Sequence, residues 1–239
     1  MKAFFDYHPH YESFQLFAWQ HIVTMLILLI LGILIFVFKD QLRVPRRRIP
    51  ICSVLACLLF IAYGALQLWL IAERAWDWKK DLPLQLSDSV VILAIVMLAM
   101  ASERLFQFMY FAGLGSSLQA IITPDLGRFG FPHFRYFEFF VAHGGVVLAC
   151  LFMVACYRYR PTLRSLWITF MIINGYGGLV FCLNKWLGAN YLYMMKKPRS
   201  ASLLSVLGPW PWYLLSLELV MLISFFILYC PFWLRQKTR

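Results

Sequence analysis

His21–Phe38 reads HIVTMLILLILGILIFVF, eighteen residues without an Asp, Glu, Lys or Arg. A hydrocarbon core about 30 Å thick takes about 20 apolar residues of helix to cross. Backbone N–H and C=O groups must be satisfied internally in lipid, and a helix does this within the segment. The stretch is therefore predicted to span a membrane, and it sets the class of the chain around it.

Six further apolar runs follow, over about 51–71, 86–100, 105–122, 137–156, 166–187 and 213–234. Together with 21–38 they predict an all-α bundle of seven transmembrane helices. None alternates apolar with polar residues, which argues against a spanning β-barrel. Composition agrees. Of 239 residues, 62% are hydrophobic and 14% charged, where a soluble domain carries about 25% charged residues. There is no internal repeat, no low-complexity tract and no polar block, so 1–239 reads as one transmembrane domain. The opening MKAFFDYHPHYESF places acids and His before the first apolar run and shows no cleavage site, so no removable signal peptide is expected.

The formal net charge is +11. Its Lys and Arg sit in short loops between apolar runs, a pattern of membrane orientation and headgroup contact rather than of nucleic-acid binding. With seven crossings, twelve Lys and Arg fall on one side, including Arg46, Arg47 and Arg48, and ten on the other. Glu73, Asp77 and Asp81 offset the smaller set. The positive-inside rule then places the N-terminus outside and the C-terminus in the cytoplasm. Under that topology His21, Ser87, Asp88, His143 and Asn190 share a depth near the outer face. His143, six residues past Phe137, falls about 9 Å along its span.

Leu82–Asp88, LPLQLSD, puts a hydroxyl and a carboxylate where the third span begins. Ser87 there is a candidate nucleophile, close to the positive end of a helix dipole. The plainer reading is that Ser87 or Asp88 caps the helix. His143, in FFVAHGGVVLACLF, is an intramembrane His, and such residues are either functional or bonded to a neighbouring carbonyl. A Ser and a His at one depth on separate helices form a minimal acyl-transfer pair. Glu218 in the seventh span is a candidate orienting carboxylate or substrate anchor, or else an interhelical hydrogen bond. Asn174-Gly175-Tyr176-Gly177-Gly178 suggests a kink or a substrate-facing opening in the sixth span, or close packing. The loop with Asn190, Trp210 and Trp212 reads as a lid or as an interfacial anchor.

Six Cys lie in or at the ends of apolar runs without a C-x-x-C pair, which suits packing rather than metal ligation. His8-Pro9-His10 offers two potential metal ligands, too few on their own to argue a site. No metal or other cofactor is expected.

The stretches FAWQH ending at His21, LPLQLSD, ITPDL at 122–126, the His143 run, and NYLYMMKKP followed by LGPWPWY together resemble the YwaF-type bacterial integral membrane family. That family is distantly similar to the transmembrane protein 164 acyltransferases, and more loosely to androgen-induced-type transmembrane hydrolases of fatty-acid esters. The resemblance implies a bacterial cell-membrane location and acyl chemistry. It puts the nucleophile, Cys in the acyltransferases and Thr in the hydrolases, at Ser87, and the His at His143. Related bacterial sequences usually read Cys where this chain has Ser87. The change fits a serine enzyme, a disabled enzyme or a non-enzymatic descendant. The expected function is a phospholipid acyltransferase or fatty-acid ester hydrolase acting on membrane phospholipids or lysolipids. In it Ser87 attacks and His143 is the base, while His21, Asp88, Asn174, Tyr176, Asn190, Glu218, Trp210 and Trp212 line or orient the site. The alternatives are a transporter or binding protein with a polar path near Glu218, and a structural protein whose polar residues only join helices.

Overall fold

The computed structural model describes residues 2–9, 12–198 and 203–237. His10, one half of the His8–His10 pair, lies outside the described residues, as do Arg199 and Arg239 among the loop and tail cations. His8 Nδ1 lies 2.9 Å from Arg128 Nη1.

Each apolar run forms one helix. They are α1 (Trp19–Val37), α2 (Pro45–Ala72), α3 (Leu86–Met100), α4 (Glu103–Ile122), α5 (Phe134–Phe152), α6 (Leu163–Leu187) and α7 (Trp212–Lys237). Among the described residues there is no strand. Six of the seven are long and apolar enough to cross a membrane. The seventh, α3, has fifteen residues and falls short of that length.

The ends follow local chemistry. Pro45 opens α2, where its missing N–H costs nothing. Ser102 caps α4 by accepting from Leu105 N at 3.3 Å. Thr162 and Ser165 form a reciprocal cap on α6, and Gly188 ends that helix in the left-handed region at φ 62°. His133 caps α5: its Nδ1 accepts from Arg135 N at 3.0 Å, and its Nε2 donates to Asp6 O at 3.0 Å. At its far end α5 continues as one π-helical turn, Met153–Tyr157.

The centre of the bundle is α5. Of its most apolar stretch 78% is buried, against 11% for α1. Small residues make this possible. A Cβ on Gly144 would lie 2.5 Å from Leu28 Cδ2 of α1, and one on Gly145 would lie 2.8 Å from Leu59 Cδ2 of α2. Both helices therefore approach α5 where it has no side chain. The peripheral α1 turns Leu26, Ile27, Leu29 and Ile30 outward, each exposed. That surface suits lipid and not water.

The sixth span is not broken. Despite Gly175, Gly177 and Gly178, α6 runs uninterrupted from Leu163 to Leu187. Gly177 lets Met194 approach, its Cε lying 3.4 Å from an added Cβ, while Gly175 and Gly178 have no neighbour within 4 Å of theirs.

The segment after α6 is tied to the one before α3. Asn184 accepts from Tyr191 N at 2.8 Å and donates to Tyr191 O at 2.9 Å. Tyr191 OH donates to Trp78 O at 2.7 Å and accepts from Leu82 N at 3.1 Å. Gln85 Oε1 accepts from Leu192 N at 2.9 Å. These bonds fix the approach of the chain to α3 and therefore the place of Ser87.

Candidate active site

Ser87 and Asp88 are the second and third residues of α3, and neither caps it. The cap position is Gln85, in extended conformation and without a side-chain cap bond. The first α3 backbone bond in that turn runs from Ser89 N to Gln85 O at 3.1 Å. It leaves the N–H groups of Leu86, Ser87 and Asp88 outside the helix ladder, as expected in a first turn. Ser89, not Ser87, bonds back to the incoming loop, donating to Pro83 O at 3.1 Å. The Ser87 hydroxyl makes no hydrogen bond among the described residues.

Ser87 opens onto a cavity of about 500 Å³. Asp88 lines it beside Ser87, and α5 contributes Arg135, Glu138 and His143. Deeper along the helices the walls are apolar, with Phe111 of α4 and Met221 and Phe225 of α7. The cavity thus has a charged end near the start of α3 and a hydrocarbon-like end.

His143 is 7% exposed. Its Nδ1 is buried with no hydrogen-bond partner among the described residues. The ring meets the edge of Phe139, centroids 4.2 Å apart. Glu138, one turn and a half nearer the helix start, is bonded to Arg135. The Arg135 guanidinium lies 5.3 Å from the Phe139 ring centre. In the loop before α3, burial holds the Asp81 carboxyl above the usual carboxylate range, opposed by the Asp77 N–H that it accepts at 2.7 Å. Tyr193, also on the cavity wall, donates to Asp125 Oδ2 at 2.7 Å. Burial, together with that carboxylate, pushes its phenol up, so it stays a donor.

The structure brings Ser87, Asp88 and His143 to one cavity. It places the other expected residues elsewhere. His21 is a buried pin: Nε2 donates to Ile121 O at 2.8 Å and Nδ1 accepts from Phe17 N at 3.1 Å. Asn174 donates to Glu218 Oε2 at 2.9 Å, joining α6 to α7, and neither lines the cavity. Tyr176 donates to Leu84 O at 3.0 Å and steadies the segment leading into α3. Asn190 accepts from Met195 N and Lys196 N within its own loop. Trp210 donates to Met194 O at 3.1 Å, and Trp212 is 64% exposed. Among the cavity residues that sequence reading did not name for the site are Arg135, Glu138 and Tyr193, along with Asp81 and Asp125. The signal for the first two was present, since FRYFEFF puts two opposite charges three residues apart at the head of an apolar run.

No curated protein and no solved structure matches the chain. A family match covers residues 16–229, from before α1 into α7. With its all-helical fold and six helices apolar enough to cross a bilayer, this integral membrane protein belongs to the TMEM164 family.

Proposed function

We propose that the chain is a membrane-embedded lipid acyl-transfer enzyme, with Ser87 as nucleophile and His143 as base. One observation carries this reading: Ser87 and His143, from two different helices, line the same amphiphilic cavity. Its volume of about 500 Å³ is that of a ligand pocket. The resemblance to the transmembrane protein 164 acyltransferases supports it, since there a nucleophile on one helix works with a His on a later one.

In the first step His143 takes the Ser87 hydroxyl proton as Oγ bonds to the carbonyl carbon of a phospholipid ester. The free N–H groups at the start of α3 face developing negative charge there, helped by the helix dipole. The carbon–oxygen bond to the glycerol side breaks, and the proton on His143 passes to that oxygen, releasing a lysolipid. The acyl-Ser87 ester is then attacked by an acceptor hydroxyl, deprotonated in turn by His143. A lysolipid acceptor gives transfer and water gives hydrolysis. The apolar end of the cavity disfavours water and so favours transfer.

All seven helices cross the membrane in this proposal, with the N-terminus outside, the C-terminus cytoplasmic and the cavity mouth towards the outer face of a bacterial cell membrane. The transport reading draws no support from the cavity. Glu218 is held by Asn174 away from its walls, and the sixth span is unbroken.

The test is acyl transfer from a labelled phospholipid to a lysolipid by the purified protein in lipid, beside Ser87→Ala, Ser87→Cys and His143→Ala. Turnover should fall by at least about a hundredfold in both Ala variants. Activity confined to Ser87→Cys would mean a scaffold whose nucleophile is lost in this chain. Inert protein in all four forms across several lipids would overturn the acyl reading.

A further inference from the structure

The cavity leaves one question of chemistry open on the page: what orients His143. A base of this kind needs a partner on its second ring nitrogen to hold one tautomer. Glu138 is engaged by Arg135, and Glu218 is engaged by Asn174.

A second buried polar atom stands without a partner on the neighbouring helix. Ser117 of α4 is 0% exposed and its Oγ has no hydrogen bond among the described residues. The register between α4 and α5 places it. Cys150 Sγ donates to Met109 O at 3.5 Å. One turn on along α4 and one turn back along α5, a Cβ on Gly113 would lie 3.3 Å from Val146 Cγ1. A further turn brings Ser117 opposite Ala142 and His143, because residues four apart share a helix face. Two orphaned polar atoms therefore sit on facing turns of packed helices. Buried polar groups are rarely left so. Ser117 does not line the cavity whereas His143 does, so the hydroxyl is not itself among the groups that face a ligand there.

We propose that Ser117 is the positioning residue of His143. The two atoms are not bonded to each other as they stand. The Ser117 Oγ therefore accepts the Nδ1 proton after a rotation of its side chain or through one water, and its own proton turns to a backbone carbonyl of the preceding turn, a usual bond for Ser in a helix. This fixes the tautomer with hydrogen on Nδ1. It leaves the Nε2 lone pair for the Ser87 proton. The catalytic meaning of the contact rests on the acyl-transfer reading, while the contact itself does not.

The experiment is nitrogen-15 NMR of histidine-labelled protein in lipid, with His143→Gln identifying the His143 signals. The wild-type chain should show a protonated Nδ1 and a bare Nε2. Ser117→Ala should move His143 towards the opposite tautomer and lower kcat by about tenfold to a hundredfold with KM unchanged. Ser117→Cys, which keeps the volume, gives the same comparison where the Ala protein does not fold. An identical His143 tautomer with and without the hydroxyl overturns the proposal. If turnover depends on Ser87 and His143 while Ser117→Ala changes neither tautomer nor kcat, the positioning role falls alone. If the tautomer moves but the wild-type chain turns over no lipid, the acyl reading falls and the contact stands.

Discussion

Arg135 and Glu138 are neighbours on one face of α5 and form an ion pair on the cavity wall. The Glu138 side chain is 4% exposed, so its charge depends on the Arg135 guanidinium. Removing one partner of a buried pair leaves an uncompensated charge and costs about 3–5 kcal/mol. Removing both charges costs far less. Arg135→Met should therefore lower stability by about 3–5 kcal/mol, and the double variant Arg135→Met, Glu138→Gln should recover most of it. Thermal or denaturant unfolding in one detergent measures the cycle. Equal loss in the single and double variants would show that Arg135 acts through packing on Phe139 instead of through its charge. The pair also explains why these charges tolerate a place beside the apolar walls of the cavity: each supplies the hydrogen bond that an apolar wall cannot.

At the scale of one element, α5 depends on His133 at its start. The imidazole must stay neutral to cap, because Nδ1 accepts the Arg135 N–H while Nε2 donates to Asp6 O. Burial holds its pKa below the ordinary imidazole value, which is about 6.5. A base whose folded pKa is depressed contributes stability that is full above the unfolded value and is lost as pH falls through it towards the folded one. The melting temperature should thus drop as pH is lowered from about 7.5 to 5, and His133→Asn, which keeps a capping acceptor without the titration, should flatten that slope. An unchanged slope in the variant would assign the acid sensitivity to other groups. The elements themselves were legible in the sequence because lipid demands long apolar runs: 86–100 coincides with α3, and 21–38 lies within two residues of α1. The start of α5 lies three residues before the expected Phe137, because Arg135 read as a loop charge. That puts His143 about 13 Å from the helix start, not 9 Å. Polar residues inside the runs were visible too, but His21, Asn174 and Glu218 are pins between helices. An isolated polar group in lipid needs a partner whether or not it does chemistry. Ser117 was invisible, since its interest lies in the register of α4 against α5, which no single stretch of sequence contains.

For the whole molecule the decisive helix is the shortest. At fifteen residues α3 is about 22 Å long, some 8 Å less than a hydrocarbon core. It nonetheless passes from one end of the bundle to the other. Its first turn faces the cavity beside Arg135 and Glu138 near the start of α5, and the carbonyl of Ala101 just past its last turn accepts from Tyr159 OH at 2.6 Å, beyond the far end of α5. With that far end at the membrane boundary, the start of α3 lies below the opposite boundary. In the proposal of seven crossings this puts Ser87 inside the hydrocarbon level, towards the depth of His143, with the incoming loop held by Tyr191 through Trp78 and Leu82. In the acyl-transfer proposal, the shortness of α3 is what would bring a helix N-terminus to the ester level instead of to the headgroup. Seven crossings put the termini on opposite sides, whereas six would put them on the same side. Reporter tags at the N- and C-terminus, probed in sealed cells and in inverted vesicles, should show the N-terminal tag outside and the C-terminal tag in the cytoplasm. Tags on one side would mean that α3 does not cross, which would leave Ser87 at the surface and separate it from the His143 depth that acyl transfer requires.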